Sequence, residues 1–349
     1  MPPLLMLNRR GAVAREVFKS QPTLTDVHVN TPLTVLSVAY LQDPAFYVAD
    51  QVFPVVPVLK ASDRYYVYQR DDFYRDEAKE RAPGSESAGG GYNLDNTPSY
   101  AAKIYAYHKD VPDQIRANAD AVLNMDRDAM VWLAQKLMIQ RERLFATKYV
   151  ASSVWDNDLA GVSTPASVNA THVLQWNDVA SDPINDVETQ KAAILLTGKM
   201  PNVLMLSYDT FRWLRNHPDI IDRVKYGGGP ANPATISEDA LAQVFGVAKV
   251  VVAKGVYASS NEGAATATYA RIMSKNALLA YAPSAPSILE ASAGYIFAWT
   301  GLLGANALGA RIKSFRMEWL ESDRIEGELA YDMVKVSGAL GAYWDSVVA

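Results

Sequence analysis

The stretch that decides the fold is residues 58–109, which read VLKASDRYYVYQRDDFYRDEAKERAPGSESAGGGYNLDNTPSYAAKIYAYHK. A strand-like run from Val58 to Arg70 is followed by a charged, glycine-rich segment, and a second such run extends from Tyr100 to Tyr107. This pattern predicts a long β-hairpin with a polar tip. Because an isolated two-stranded ribbon is only marginally stable in water, we expect the hairpin to lie on a neighbouring copy of the same chain.

The tip of this hairpin carries charges of both signs and several glycines. We expect its charged side chains to contact a neighbouring subunit: Arg70, Asp71, Asp72, Arg75, Asp76, Lys79, Glu80 and Arg81. A single exposed ion pair contributes only about 0–1 kcal/mol, so these contacts would act as a network repeated over many copies. We expect the glycines of the tip to let it bend: Gly84, Gly89, Gly90 and Gly91.

A long helix is predicted directly after the hairpin. Apolar side chains recur three and four positions apart between Asp113 and Val150, which is typical of a helix with one buried face. At 1.5 Å per residue, a single helix over this range would be a rod about 55 Å long. The alternative is an ordinary core helix with a break near Asn124.

Residues 1–57 are predicted to form an extended arm. Prolines at positions 22, 32, 44, 54 and 57 interrupt any helix. Thr31–Val38 is compatible with a strand, and Phe46–Val48 with a short apolar anchor. An arm with this many apolar residues needs a surface to cover them, and the sequence leaves two surfaces open: a neighbouring copy or its own domain.

A mixed α/β region is predicted from Val187 onward, where short apolar strands such as Val203–Leu206 and Arg271–Met273 alternate with helices. Ser207 and Ser237 stand where helix N-caps are expected. The C-terminal range Arg311–Val336 alternates polar and apolar residues, which indicates an antiparallel strand pair with one solvent-facing side. A flexible loop of the α/β region is predicted at three consecutive glycines: Gly227, Gly228 and Gly229.

Composition and motifs favour a structural protein. The 349-residue chain has a formal net charge of -5, no cysteine and four histidines that are far apart in sequence. It has no HExxH zinc motif, no complete phosphate-binding loop and no Gly-x-Ser-x-Gly elbow. Its mild acidity argues against tight nucleic-acid binding, and no apolar run is long enough to span a membrane. We therefore expect a soluble, intracellular structural protein that is not an enzyme and uses no cofactor or metal.

Four short sequence segments carry a resemblance to a known family. They are residues 217–220 (HPDI), 235–247 (TISEDALAQVFGV), 250–257 (VVVAKGVY) and 325–331 (IEGELAY). With the sequence of arm, hairpin, long helix, α/β region and returning strands, they resemble the major capsid proteins of tailed bacteriophages with the Hong Kong 97-type fold. The likeness covers nearly the whole chain, and it implies an α+β fold with an N-terminal arm, an extended loop, a spine helix, a peripheral domain and an axial domain.

The resemblance implies a virion protein, assembled in the host cytoplasm, whose copies form the pentamers and hexamers of an icosahedral head around double-stranded DNA. Its parts would be the arm at 1–57, the extended loop at 58–109, the peripheral domain at 110–185 with 300–349, and the axial domain at 186–299. The expected partners are copies of itself, a separate scaffolding protein, a portal and weakly held DNA, with no membrane; the sequence leaves open whether a decoration protein binds.

Two processing events known in relatives are not expected in this chain. Some relatives carry a long N-terminal scaffolding segment that is cut away, and this sequence has none, so no cleavage is predicted. Some relatives join subunits by a Lys–Asn isopeptide bond. Lys60 and Lys79 lie in the right region, but no partner Asn or assisting Glu can be matched, so no covalent cross-link is predicted.

Two other functions stay open at this point. The same fold would serve an encapsulin, a bacterial shell that encloses cargo enzymes instead of a genome. A different class, an oligomeric carbohydrate-binding protein or enzyme, would use an aromatic cluster made of Tyr65, Tyr66, Tyr68 and Tyr74. Aromatic residues in strands are more often there for packing.

Overall fold

The computed structural model describes residues 41–119, 123–227, 236–286, 290–302 and 305–349. Its α-helices are α1 (Ala49–Val52), α2 (Arg70–Tyr74), α3 (Asp113–Asn118), α4 (Met125–Tyr149), α5 (Pro183–Leu195), α6 (Tyr208–Leu214), α7 (Pro218–Gly227) and α8 (Glu238–Phe245). Its strands are β1 (Val55–Val58), β2 (Ser62–Arg64), β3 (Val67–Tyr68), β4 (Leu94–Asp95), β5 (Ser99–Ala101), β6 (Lys103–Pro112), β7 (Asn157–Val162), β8 (His172–Leu174), β9 (Val203–Ser207), β10 (Lys249–Ala253), β11 (Val256–Ala258), β12 (Tyr269–Arg271), β13 (Ala277–Ala280), β14 (Gly294–Trp299), β15 (Ala310–Met317), β16 (Ser322–Lys335) and β17 (Gly341–Asp345).

The first sheet is organised around β16, which pairs antiparallel with β6, β14 and β15, while β1 joins β14 in parallel. Alternate residues of β16 point to opposite faces. Ile325, Tyr331 and Met333 share one face and are buried, whereas Arg324 and Glu326 lie on the other. The predicted antiparallel pair at residues 311–336 is therefore confirmed, and its apolar face is covered.

Helix α4 covers that face by packing on β16 and β6. Gly327 permits the close approach, since a Cβ there would lie 2.9 Å from Leu137 Cδ1.

The single rod predicted from Asp113 to Val150 is wrong: α3 ends at Asn118, and α4 begins at Met125 and is about 37 Å long. Asn124 is the N-cap of α4, and its side chain accepts from Arg127 N at 3.0 Å. An Asn that caps a new helix in this way competes with helix continuation, so the alternative of a break near Asn124 is confirmed.

The second sheet has the order β10-β9-β13-β17-β7-β8 and forms the centre of the main core. Strand β9 is buried along its whole length, flanked by β10 in parallel and β13 in antiparallel orientation. The predicted N-caps are confirmed: Ser207 Oγ accepts from Thr210 N at 3.3 Å, and Ser237 Oγ accepts from Ala240 N at 3.2 Å.

The two sheets cut across the predicted domain ranges. Strands β7, β8 and β17 fall in the ranges predicted as peripheral, yet they extend the sheet of the predicted axial region. Strand β14 falls in the range predicted as axial, yet it pairs with β16. Sheet neighbours are chosen by complementary buried faces, such as that of Trp344 in β17, and not by proximity along the chain. The division into domains remains a prediction, with bounds that need adjustment at these strands.

The segment before the loop packs on its own chain. Residues 1–40, including the strand predicted at Thr31–Val38, lie outside the described residues. Val48, Val52 and Phe53 are buried, and β1 pairs with β14 of the same chain. For this part of the predicted arm, the alternative of packing on its own domain is correct.

The hairpin is shorter than predicted. Its ladders are β2 with β5 and β3 with β4, and α2 follows β3 directly. Most of the predicted return arm belongs to β6, which pairs with β16 in the body. The reason is that β16 offers a long partner with a buried face, whereas β2 in the first arm of the hairpin offers three exposed polar residues. The projecting loop is therefore residues 59–102.

Candidate assembly surface

The base of the projecting loop is fixed to the first sheet by aromatic stacking and backbone contacts. Tyr100 is buried, and its ring stacks on that of Phe297 with the centroids 4.5 Å apart. Tyr65 stacks on the same ring at 5.8 Å. Trp299 Nε1 donates to Leu59 O at 3.0 Å. These contacts hold both ends of the loop, so its orientation at the base is set within one subunit.

The tip of the loop presents charged side chains to solvent. Asp72 is the exception, because its carboxylate accepts from Asn93 N at 2.7 Å and lies 3.8 Å from Arg75 Nη1. Arg81 Nε donates to Ser85 O at 2.5 Å. The remaining predicted contact residues are exposed: Arg70, Asp71, Asp76, Lys79 and Glu80. The structure thus places these groups on an accessible projection, and their role between subunits remains a prediction.

The glycines of the tip occupy different environments. Gly84 has a φ of 83° and lies in a turn in which Ser85 N donates to Ala82 O at 3.1 Å. Gly89 and Gly91 have open space where a side chain would stand, while a Cβ at Gly90 would meet Glu77. Only Gly84 therefore has a backbone conformation that favours glycine, and the predicted bending role of all four remains a prediction.

An aromatic cluster on the loop was not predicted from the sequence. The rings of Tyr68, Phe73 and Tyr92 lie 5.8–5.9 Å apart in all three pairs. Phe73 is 57% exposed and Tyr92 is 65% exposed. We call these three residues the loop-tip aromatic cluster. Tyr68 and Phe73 each have another aromatic residue nearby in the sequence, whereas Tyr92 stands alone between Gly91 and Asn93. No periodic pattern marks the three residues as a cluster; the available signal is the presence of large aromatic residues inside a charged loop.

The four tyrosines considered for a carbohydrate site do not form one platform. Tyr65 stacks on Phe297, and Tyr68 belongs to the loop-tip aromatic cluster. Tyr74 OH donates to Thr197 O at 2.5 Å, while Tyr66 projects into solvent. Their rings face different partners, so the arrangement offers no shared stacking surface for a sugar.

A buried carboxylate holds the segment before the loop. Glu142 of α4 is 1% exposed, and its oxygens accept from Val48 N at 3.0 and 3.1 Å and from Ala49 N at 3.1 Å. Burial raises the pKa of Glu142 to about 7, although the N–H bonds from Val48 and Ala49 pull in the opposite direction. Next to it, Arg141 pairs with Asp50 at 2.5 Å. This clasp joins α1 to α4, and no motif in the sequence pointed to it.

The predicted axial-region loop lies mostly outside the described residues. Gly227 is the last residue of α7 and not a loop residue, and Gly228 and Gly229 are not described.

Within the described ranges, no group of three or more His, Asp or Glu side chains is placed to hold a metal ion. In the same part of the chain, no helix combines the length and the apolar character needed to cross a bilayer.

Comparison with solved structures identifies the fold. The chain superimposes on a phage-related protein from Bordetella bronchiseptica with a TM-score of 0.64 and 21% identity, covering 88% of this chain and 93% of that one. It superimposes on the capsid protein of Cyanophage P-SCSP1u with a TM-score of 0.58 and 9% identity, covering 96% and 98%. The fold is the Hong Kong 97-type α+β fold of phage capsid proteins, as the sequence predicted.

Among curated proteins, the chain is similar to the major capsid protein of Burkholderia phage BcepMu. The two are 23% identical over 258 residues, which are 73% of this chain and 76% of that protein. No protein-family model matches the chain. The resemblance to phage major capsid proteins that the sequence carries is thereby confirmed.

A cellular shell protein shares the fold. The SrpI encapsulin of Synechococcus elongatus superimposes with a TM-score of 0.52 and 12% identity, covering 97% of this chain and 95% of that one. The same fold is therefore found in phage capsid proteins and in an encapsulin.

Proposed function

We propose that this chain is the major capsid protein of a tailed phage, whose copies assemble into the pentamers and hexamers of an icosahedral head around double-stranded DNA. The observation that carries the proposal is the similarity to the BcepMu major capsid protein over about three quarters of both chains. The role is structural and not catalytic, and the similarity to a phage major capsid protein supports this part of the proposal.

The projecting loop supports assembly on physical grounds. Residues 59–102 leave large apolar side chains in water, among them Leu59, Tyr66, Phe73 and Tyr92. Each contact between subunits can be weak, because a closed shell holds every subunit by several contacts at once. The mixed charges of the tip then fix which partner surface is correct, since like charges brought together are costly.

The finer assignments are part of the same proposal. The charged tip residues contact neighbouring subunits, the tip glycines let the loop bend as an immature shell expands, and the loop predicted at Gly228 and Gly229 lies in the axial domain. A separate scaffolding protein and a portal complete the particle. The net charge of -5 fits a shell that holds DNA by weak, non-specific contact and not by a basic groove.

The experiment is expression of the full chain, alone and with the scaffolding protein encoded beside it, followed by electron microscopy of the purified product. Closed icosahedral particles are expected. A product that stays a single subunit under both conditions contradicts the proposal. Deletion of Gly89–Gly91 tests the role of the loop, because it should impair assembly or expansion while the subunit stays folded; normal particles from this deletion contradict that role.

The second candidate function, an encapsulin-like compartment, is favoured by the match to the SrpI encapsulin over nearly the whole chain. The two are separated by what the particles hold. Particles that fill with DNA in the presence of portal and packaging proteins support the phage head, whereas particles that take up one co-purifying enzyme through a terminal peptide support the compartment.

A further inference from the structure

One tryptophan of the first sheet is exposed without a partner. Trp319 lies in the one-turn 3₁₀ helix Glu318–Leu320, which joins β15 to β16 and which we call the Trp319 turn. Trp319 is 78% exposed and the adjacent Leu320 is also exposed. In the described residues, no aromatic ring or cation stacks on Trp319. A large aromatic side chain left in water on a folded subunit is the residue type that most often anchors a protein interface.

The Trp319 turn is rigid. Asp113 N donates to Glu321 O at 2.9 Å, and Glu321 N donates to Glu318 O at 3.2 Å. Behind the turn, Arg316 binds both carboxylate oxygens of Asp113, at 2.7 and 2.5 Å. The carboxylate of Asp323 forms ion pairs with Arg316 Nη1 at 3.3 Å and with Arg116 Nη1 at 2.5 Å. A turn held this way presents its tryptophan on an ordered backbone, so binding has to order only the side chain.

The charge around the Trp319 turn is negative. Glu318 has a side chain that is 84% exposed and reaches a cation only at 3.9 Å, from Arg316 Nε. Glu321 is exposed, and its carboxylate forms no ion pair within the described ranges. The surface that fits this turn is therefore aromatic and cationic.

The loop-tip aromatic cluster has that character. Arg70 and Phe73 stand three positions apart on α2 and therefore share a face. Arg70 is exposed and forms no ion pair with any described residue. Of the two acidic residues on α2, Asp72 is already engaged by Arg75 and Asn93 N. Asp71 is exposed next to Arg70 in the chain, and the described residues show no ion pair between the two.

The other tryptophans offer no such match. Trp132 has Lys109 and Lys136 over its ring, at 5.5 and 5.6 Å from the centroid, and would repel Arg70. Trp213 has Arg212 at 5.5 Å, and Trp299 donates to the loop base. The rest are buried: Trp155, Trp176 and Trp344.

We infer that the loop-tip aromatic cluster of one subunit packs on the Trp319 turn of a second copy, with Arg70 beside Glu321. The inference rests on the proposed function, since it names the two surfaces that a shell contact of the loop would join. It places the apolar contact of the loop at its aromatic cluster, with the charged residues around it setting the register.

The absence of cysteine from the sequence gives a clean test. Two single variants, Gln69→Cys and Glu318→Cys, are expressed together so that the particles contain both, and the particles are treated with a short bis-maleimide. Covalent dimers are expected on a denaturing gel from the mixture and not from either variant alone. The matched control pairs Gln69→Cys with Arg223→Cys, an exposed position on α7, and should give no dimers.

A charge exchange tests the same contact without cross-linking. Arg70→Glu or Glu321→Arg alone should lower the yield of particles about fivefold or more, and the two together should restore it to within about twofold, as a direct charge pair requires. The control exchange is Arg223→Glu with Glu262→Arg, two exposed positions away from the loop and the turn.

The outcomes separate this inference from the proposed function. Wild-type particles with dimers from the mixture and a restoring charge exchange support both. Wild-type particles that give no dimers from the mixture, or that give dimers only between two Gln69→Cys subunits, overturn this inference and leave the shell function standing. A wild-type chain that forms no particles contradicts the shell function, and this inference with it.

Discussion

Residues 44–58 and residues 59–102 are consecutive in the chain and have little regular structure, yet they are held in opposite ways. The first segment is covered by its own subunit: Phe53 is buried against α4, and Glu142 accepts the N–H groups at the start of α1. The second segment is fixed at its base and by one hydrogen bond from Tyr74 to Thr197 O, and it leaves Tyr66, Phe73 and Tyr92 largely in water. The difference shows that an extended segment depends on neighbours only where its own body offers neither an apolar surface nor hydrogen-bond partners.

The largest expected effect separates the two segments by stability. Phe53 lies 4.6 Å from the ring of Tyr149 and 6.0 Å from that of Phe145, so Phe53→Ala should lower the free energy of unfolding by about 3–5 kcal/mol. Phe73→Ala, the matched change on the exposed loop, should alter it by no more than about 0.5 kcal/mol. Urea unfolding of unassembled subunits measures both, and equal losses in the two variants would contradict the contrast.

The second expected effect concerns pH and the clasp at Glu142. Its pKa is raised from 4.5 to about 7 by burial, so the folded subunit holds this proton more tightly than the unfolded chain. The stabilisation is fully present below about pH 4.5 and is lost as the pH rises through about 7. At 1.36 kcal/mol for each pKa unit, the loss between pH 4.5 and pH 8 is at most about 3 kcal/mol.

Urea unfolding at pH 5.5 and pH 8 tests this dependence. Glu142→Gln should flatten the dependence, because its side chain does not titrate. Burial also raises the pKa of Asp186 to about 6, so that group contributes in the same direction, and Asp186→Asn measures its share. A Glu142→Gln subunit with the wild-type pH dependence would show that the clasp does not carry the effect.

The third expected effect concerns the tip of the loop. Tyr74 OH donates a hydrogen bond to Thr197 O, and this bond joins α2 to the segment that follows α5. Removal of one such bond costs about 0.5–1.5 kcal/mol, so Tyr74→Phe should release the tip and raise the rate of trypsin cleavage at Arg75, Lys79 and Arg81 about two- to tenfold. Tyr66→Phe, on an exposed ring without a partner within the described residues, is the control. Unchanged cleavage in Tyr74→Phe would mean that the tip is already free.

The features that the sequence predicts correctly depend on interactions between residues that are close together in the chain. Local chemistry gave the caps at Ser207 and Ser237 and the alternation in β16, because each depends on residues a few positions apart. The break before Met125 was open from the sequence, since an Asn inside a helical pattern either faces solvent or caps a new helix.

The remaining features depend on contacts between distant residues. The ladder of β6 with β16 joins residues more than 200 positions apart, and the clasp joins Val48 to Glu142 across 94 positions. Nothing in the local pattern marks such partners. The loop-tip aromatic cluster was missed for the same reason, because Tyr92 meets Phe73 only after the chain has turned back through the charged segment.

The smallest expected effect concerns the glycines within the tip of the loop. Gly84 has a φ of 83°, where a residue with a Cβ costs roughly 1–2 kcal/mol locally. Gly89 has open space and no such conformation. Gly84→Ala should therefore speed hydrogen exchange at the Ser85 N–H, whose bond to Ala82 closes the turn, while Gly89→Ala leaves it unchanged. The exposed turn can relieve this strain by opening on its own while the core stays folded, so neither variant should change the free energy of unfolding of the subunit by more than about 0.5 kcal/mol. Equal acceleration in both variants would mean that the tip needs glycine for freedom of movement along its whole length, and not for one turn.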